Sequence, residues 1–346
     1  MQSKMQFNSI IKINIDNKFI GVGGEVFIVA EAGVNHFGSM KKAKSLVDMA
    51  VDAGADAFKL QVYNTEKLVS RVSPDWINRL KPKELSWDNI KVIQDYCNKR
   101  GIIFFATAHE ETSLDFLESI NVPLYKIGSG EVGNSQFIEK VAQKGKPVIL
   151  STGMYTISEI RKALDAIMNT GNRNTILLHC ITSYPTPPDE VNLRAMDLIK
   201  SEFNVPVGYS DHTEGWYVPL AAVARGACVI EKHITLDRNV PNAQDWKVSC
   251  GREDFKEFIE AVRCVEKSIG KYEKSPSTTE VENKKWARKS IVSRQSISLG
   301  TVITRDMLCT KRPGTGIPPE RINEVIGRRS TKEIEEDVLI DWDQVE

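Results

Sequence analysis

Eight short apolar runs occupy residues 27–32, 56–62, 102–107, 124–129, 147–151, 175–180, 206–211 and 229–233. They begin about 22 to 31 residues apart, with one longer gap before Ile102. Between them lie stretches with apolar residues at helical spacing, among them Met40–Ala53, Trp87–Arg100, 157–168, 217–225 and 253–269. Short apolar strands alternating with helices predict a parallel sheet covered by helices. Eight units of fairly even length predict that this α/β sheet closes into a (β/α)8 TIM barrel. An open doubly wound sheet is the alternative, but the even spacing favours closure.

The flanks differ from this rhythm. Ile11, Ile13 and Ile15 alternate with Lys12 and Asn14, and Asp16-Asn17 separates them from Phe19-Ile20-Gly21-Val22. That pattern predicts an N-terminal β-hairpin, placed to plug the bottom of the barrel. Residues 271–288 are polar and rich in Ser, Thr and Pro, which predicts a linker. From Lys289 short β patterns return: Ser290-Ile291-Val292, a turn within 297–303, Met307-Leu308-Cys309 and a closing run at 333–339. The expected organisation is a barrel domain at 1–270, a linker at 271–288 and a small, mostly-β domain at 289–346.

Composition removes several function classes. Lys plus Arg number 46 and Asp plus Glu number 46, so no net field attracts nucleic acid or an anionic membrane. No apolar run approaches the roughly 18 residues of a membrane span, and residues 1–17 contain no secretory apolar segment. The six cysteines form no CxxC pair, which predicts reduced thiols and a cytoplasmic protein.

A parallel barrel carries its chemistry where the strands end. The apolar pattern breaks there, at Glu31, Lys59, Gln61, Thr107, Lys126, Ser129, Glu131, Ser151, Ser210, Asp211, His212, Glu231 and His233. Lys59 and Gln61 are two apart and share one face of their strand, as do Glu231 and His233. Charges buried in a strand are costly unless paired or used. His212 and His233 end adjacent strands, so their imidazoles can converge. With Glu31, Asp211 and Glu231 near, they suit a divalent cation, Mn²⁺ first, with Mg²⁺ or Co²⁺ as alternatives. Lys59, Lys126, Thr107, Ser129, Ser151 and Ser210 supply the cations and hydroxyls that a phosphate or carboxylate needs. Gly128-Ser129-Gly130 and Gly153 allow backbone N–H groups to approach an anion. His36 is read as orienting backbone near Glu31, and His109 and His179 as packing residues.

Several motifs in order resemble the sialic acid synthase family. They are Ala30-Glu31-Ala32-Gly33-Val34-Asn35-His36, Lys126-Ile127-Gly128-Ser129-Gly130-Glu131, Leu150-Ser151-Thr152-Gly153-Met154, His179-Cys180 with Tyr184-Pro185-Thr186-Pro187, Ser210-Asp211-His212-Thr213, Glu231-Lys232-His233 and Lys311-Arg312-Pro313-Gly314. The resemblance runs from about Phe27 to the C-terminus, where the small module is similar to type III antifreeze proteins (an SAF domain). It implies a transferase that condenses phosphoenolpyruvate with N-acetylmannosamine or a related 2-acetamido sugar. The products are a nonulosonic acid and phosphate. It implies that His212 and His233 bind metal and that Lys59, Thr107, Lys126, Ser129, Ser151 and Ser210 contact phosphoenolpyruvate. It also places Glu31, Gln61, Glu131, Tyr184 and Asp245 around the sugar and the reacting carbons, with Glu131, Glu31 and Glu231 as rival proton acceptors. Finally, it implies a homodimer that swaps terminal modules, so that Arg312 reaches the partner's sugar site.

Some positions depart from the family pattern. Thr182 stands where one subgroup has Asn, residues 241–246 replace a shorter Pro-Gly-Pro-Asp loop, and Ala108-His109 is unusual after Thr107. These bear on the sugar rather than on the reaction: a legionaminic or pseudaminic acid synthase using a diacetamido sugar is the alternative. Trp246 fits a sugar-stacking face or a loop anchor equally. A synthase acting on a phosphorylated sugar would need a second phosphate clamp, and no spare Arg cluster marks the strand ends. A non-catalytic sugar-binding or ice-binding protein is opposed by Lys59, His212 and His233.

Overall fold

A computed structural model describes residues 12–16, 18–21, 23–240, 243 and 245–346. The expectations at Ile11, Asn17, Val22, Pro241, Asn242 and Gln244 lie outside the described residues. The chain divides into two compact units, Met1–Gly270 and Lys271–Glu346.

The first unit opens with β1 (Ile13–Ile15) and β2 (Lys18–Ile20), paired antiparallel. Eight parallel strands follow: β3 (Phe27–Gly33), β4 (Ala57–Val62), β5 (Ile103–Ala108), β6 (Tyr125–Ile127), β7 (Val148–Ser151), β8 (Thr175–His179), β9 (Val207–Asp211) and β10 (Val229–His233). β10 pairs with β3 as well as β9, so the barrel closes. The expected strand ends hold within a residue or two, and β6 is the shortest because Gly128 turns the chain into a 3₁₀ turn at Ser129–Glu131.

Strand parity divides the side chains between two cores. Ile28, Ala30, Phe58, Leu60, Phe104, Ala106 and Ile230 face the surrounding helices. Phe27, Val29, Ala57, Phe105, Leu124, Ile149, Ile176, Leu178 and Val229 face inward and join Ile13, Ile15 and Ile20 of the hairpin in one buried cluster. The hairpin therefore closes the end of the barrel where the strands begin. Higher on the same inward rows the residues turn polar.

The helices carry their own signals. Met40–Ala53 starts at Ser39, whose side chain accepts from Lys42 N, and stops at Gly54 in the left-handed region. The helix at Ile157–Asn169 starts with a reciprocal capping box between Thr156 and Glu159.

The second unit begins differently from expectation. Within the stretch read as a linker, Thr278–Ala287 is helical, started by a capping box between Ser277 and Glu280. None of its residues is buried, which is why no apolar stripe betrays it in the sequence. β11 (Ser290–Ser293) and β12 (Leu308–Lys311) pair antiparallel. Isolated bridges, including Ile297 with Ile334 and Val292 with Leu339, continue the sheet around a core of Ile291, Ile303, Leu308, Ile317, Val325 and Ile340. Residues 333–339 contribute bridges rather than a regular strand. Among the described residues no helix is long and apolar enough to cross a membrane.

Candidate active site

The inward rows continue above the apolar cluster: Glu31 over Val29, Lys59 and Gln61 over Ala57, Thr107 over Phe105, Lys126 over Leu124, Ser151 over Ile149, and Glu231 and His233 over Val229. Together with Ser129, Tyr184, Ser210 and His212 they line a cavity of about 150 Å³. Thr182, Cys180 and His109 also line it.

Two ammonium groups and two carboxylates meet on its floor, all at most 4% exposed. Lys59 Nζ lies 2.9 Å from Glu31 Oε2 and 3.3 Å from Glu231 Oε1. Lys126 Nζ lies 3.3 Å from the same Glu231 oxygen, which also accepts from Ser210 Oγ at 3.1 Å. Lys59 donates to Thr107 Oγ1 at 3.2 Å, and Gln61 Nε2 donates to Glu31 Oε1 at 3.4 Å. Burial pushes Glu31 up from the usual carboxylate range, and Lys59 only partly opposes it. Burial acts on Glu231 in the same sense, but the Lys126 and Lys59 ammonium groups outweigh it and hold this carboxyl down. With the proton on Glu31, two cations face one carboxylate. The floor is then net positive, as an anionic ligand requires.

His212 Nδ1 lies 2.6 Å from Ile181 O, which fixes the proton on that nitrogen and leaves the Nε2 lone pair toward the Tyr184 hydroxyl, 3.0 Å away. The His212 and His233 ring centroids are 5.5 Å apart. Burial lowers His212 to about 4 and drives His233 well down, so both are neutral, the form that binds metal. His233 Nδ1 is buried without a hydrogen-bond partner among the described residues. The two imidazoles fit a divalent ion as a pair. Among the described residues no three His, Cys, Asp or Glu side chains are grouped around one point to hold such an ion, so other positions would fall to substrate or water.

Asp211, expected beside the histidines, precedes His212 in the chain but points away from the cavity. Parity turns it to the outer face, where Oδ2 pairs with Lys232 Nζ at 2.5 Å and Oδ1 accepts from Tyr209, Thr213 N and Thr213 Oγ1. Glu131 is absent from the cavity lining, and its Oε2 accepts from Asn134 at 2.7 Å. Asp245 approaches from the segment after β10, with Oδ2 at 3.9 Å from His233 Nδ1. Arg312 belongs to the second unit, where its guanidinium lies 5.5 Å from the Trp286 ring centre and Nε donates to Ala287 O. His36 Nδ1 accepts from Gly38 N, a local turn contact. His179 Nε2 contacts Val191 O and its ring packs on Tyr209.

Cys180 has no assignment from sequence. Its sulfur lies 3.1 Å from Ser129 Oγ, which accepts from Gly153 N at 3.0 Å. A Cβ at Gly153 would stand 2.5 Å from Thr182 Oγ1 and 2.8 Å from Ser129 Oγ, so this approach needs glycine. The inward parity of the β8 row, continued past Leu178, is the signal that locates Cys180.

The NeuB family matches residues 46–274, and the SAF domain matches residues 288–346. The chain is 38% identical to the N,N'-diacetyllegionaminic acid synthase of Legionella pneumophila, over 92% of this chain and 94% of that one. It is 34% identical to the N-acetylneuraminate-9-phosphate synthase of Homo sapiens, over 92% and 93%. The crystal structure of the N-acetylneuraminic acid synthetase of Leptospira borgpetersenii superposes with a TM-score of 0.75 at 36% identity, over 79% of this chain and 95% of that one.

Proposed function

The chain belongs to the NeuB family, and we propose that its barrel condenses phosphoenolpyruvate with an open-chain 2-acetamido aldose, giving a nonulosonic acid and inorganic phosphate. It is an enzyme of the phosphoenolpyruvate-condensing synthase type. The observation that carries the site reading is the floor, where Lys59 and Lys126 converge on one oxygen of Glu231 beneath the hydroxyls of Thr107, Ser129, Ser151 and Ser210. Charge-assisted donors in that number suit the phosphate and carboxylate of the enolpyruvyl substrate. Only Lys59 and Lys126 are cationic among the described lining residues, which favours an acceptor without its own phosphate.

Carbon 3 of the enol attacks the aldehyde carbon, which leaves carbon 2 electron-poor; water adds there, and the carbon–oxygen bond to phosphate then breaks as the new carbon 2 hydroxyl gives its proton to the departing phosphate and becomes the ketone. Glu31 serves the proton transfers: its retained proton passes to the new alkoxide, and the emptied carboxylate takes one from the attacking water. Glu231, pinned between two ammonium groups, is a weaker base, and Glu131 is engaged by Asn134. Gln61 orients Glu31, while Tyr184 and Asp245 border the space left for the sugar. His212 and His233 would hold a divalent cation, Mn²⁺ first, which supplies Lewis acidity at the aldehyde oxygen.

Phosphate release from phosphoenolpyruvate tests the reading, with N-acetylmannosamine, its 2,4-diacetamido-6-deoxy analogue, or no sugar. Release should need a sugar, stop with chelator and return with Mn²⁺. The sugar with the higher kcat/KM names the acceptor, and sugar-independent release or none would refute a synthase.

We further propose that the protein acts in the cytoplasm, to which six free cysteines are suited, and as a homodimer that exchanges terminal modules. Arg312, held on an exposed Trp286, would then contact sugar in the partner's barrel. Mixing Arg312→Ala chains with His233→Ala chains should restore activity, because one barrel in the mixed dimer keeps both residues. Heterodimers as inactive as either parent would exclude the exchange.

A further inference from the structure

Six buried side-chain polar atoms have no hydrogen-bond partner among the described residues: Glu31 Oε2, His109 Nε2, Ser151 Oγ, Tyr155 OH, Glu231 Oε2 and His233 Nδ1. All but Tyr155 belong to residues that line this same cavity. Glu31 Oε2 has its ion pair with Lys59. A buried polar atom left unpaired is destabilising, so this concentration marks atoms held ready for a ligand. The mechanism above uses every one of these cavity residues except His109.

His109 follows β5 directly, and its N–H donates to Val62 O at 3.2 Å, extending the ladder between β4 and β5 by one step. Strand parity is therefore kept, and His109 stands on the inward row above Thr107, mouthward by about 6.6 Å at the usual strand rise. Thr107 is bonded to Lys59 and is paired in register with Lys126. In the closed order β5 lies four strands from β9 in either direction, so His109 and His212 stand on opposite walls. The Tyr63 ring meets His109 edge-on at 6.2 Å and limits its movement. Burial, reinforced by Lys59 and Lys126, lowers its pKa to about 4, so a neutral ring stays beside the anion floor. A neutral imidazole protonated at Nε2 donates without adding a third cation.

We propose that His109 is a substrate-binding residue whose Nε2–H donates to an anionic oxygen of phosphoenolpyruvate seated on Lys59, Lys126 and Thr107. The inference rests on the phosphoenolpyruvate reading of this cavity. It replaces the packing role first assigned to His109, and it makes the residue part of the grip on the donor substrate, not on the sugar.

The test compares His109→Phe, which keeps ring bulk without a donor, with His109→Asn and His109→Gln. Binding of phosphoenolpyruvate, and of inorganic phosphate alone, is measured by calorimetry on the full-length protein, beside steady-state KM values for both substrates. The Phe variant should bind phosphoenolpyruvate about tenfold more weakly, as expected for one lost hydrogen bond to a charged group. Its sugar KM should stay within about twofold, and the Asn or Gln variant should recover most of the loss. An equal loss toward phosphate alone would assign the contact to the phosphate end, and an undiminished phosphate affinity to the carboxylate end. Both outcomes support the proposal. Unchanged phosphoenolpyruvate affinity in the Phe variant, a change confined to the sugar KM, or equal losses in all three variants would overturn it. If the wild type itself binds no phosphoenolpyruvate, the functional reading fails first, before any variant is compared.

Discussion

Ile149 and Ser151 stand on one strand, point the same way, and are both nearly sealed from water. Ile149 belongs to the apolar cluster shared with the hairpin, whereas Ser151 Oγ is buried without a partner in the cavity above. The same contrast repeats at Phe105 and Thr107, Leu124 and Lys126, and Val229 and Glu231. Along each inward row, a single step of two residues separates groups that stabilise the fold from groups that weaken it. The lower layer gains from removing apolar area from water, and the upper layer keeps unsatisfied atoms and opposed charges for a ligand.

That division can be broken most forcefully from below. Phe105→Ala should destabilise the first unit by about 3–5 kcal/mol, through lost burial and the cavity left behind. The measurement is urea unfolding, and the KM for phosphoenolpyruvate in the protein still folded should stay within about twofold. A small stability loss with a large KM change would mean that the lower layer belongs to the site. From above, the effect should be smaller and reversed in kind. Ser151→Ala removes an unpaired buried hydroxyl, so stability should hold within about 0.5 kcal/mol or rise. The KM for phosphoenolpyruvate should increase about tenfold, as for one lost hydrogen bond to an anion. Marked destabilisation with an unchanged KM would assign Ser151 to the scaffold.

The same period-2 logic explains how much could be read from sequence. The eight runs carry the barrel because their boundaries are set by strong local contrasts, such as Val229–His233 ending at the second histidine. Lys59, Lys126, Glu231 and His233 were legible because charge or imidazole in a buried run needs a reason. Asp211 could have been excluded by parity alone, since it is one step from Ser210 and therefore faces outward to Lys232. Glu131 was harder: it follows Gly128 into a 3₁₀ turn, where no simple periodicity says which way a side chain points. The helix Thr278–Ala287 was hidden by its lack of a buried face, although Ser277 and Glu280 carry its capping signature. His109 falls just past its strand, where counting on from Thr107 works only if the ladder continues, as the bond to Val62 shows it does.

The hairpin has a kinetic consequence. Ile13, Ile15 and Ile20 fill the lower end with apolar side chains, so among the described residues the cavity offers no way in from the hairpin side. A molecule seated on the lysine floor lies beneath anything that follows it. Under the proposed reaction, the enolpyruvyl substrate must arrive before the aldose, and an aldose that enters early blocks the way down. Initial-rate patterns should then be sequential and ordered, with the sugar inhibiting at high concentration by occupying an enzyme that has not yet taken its first substrate.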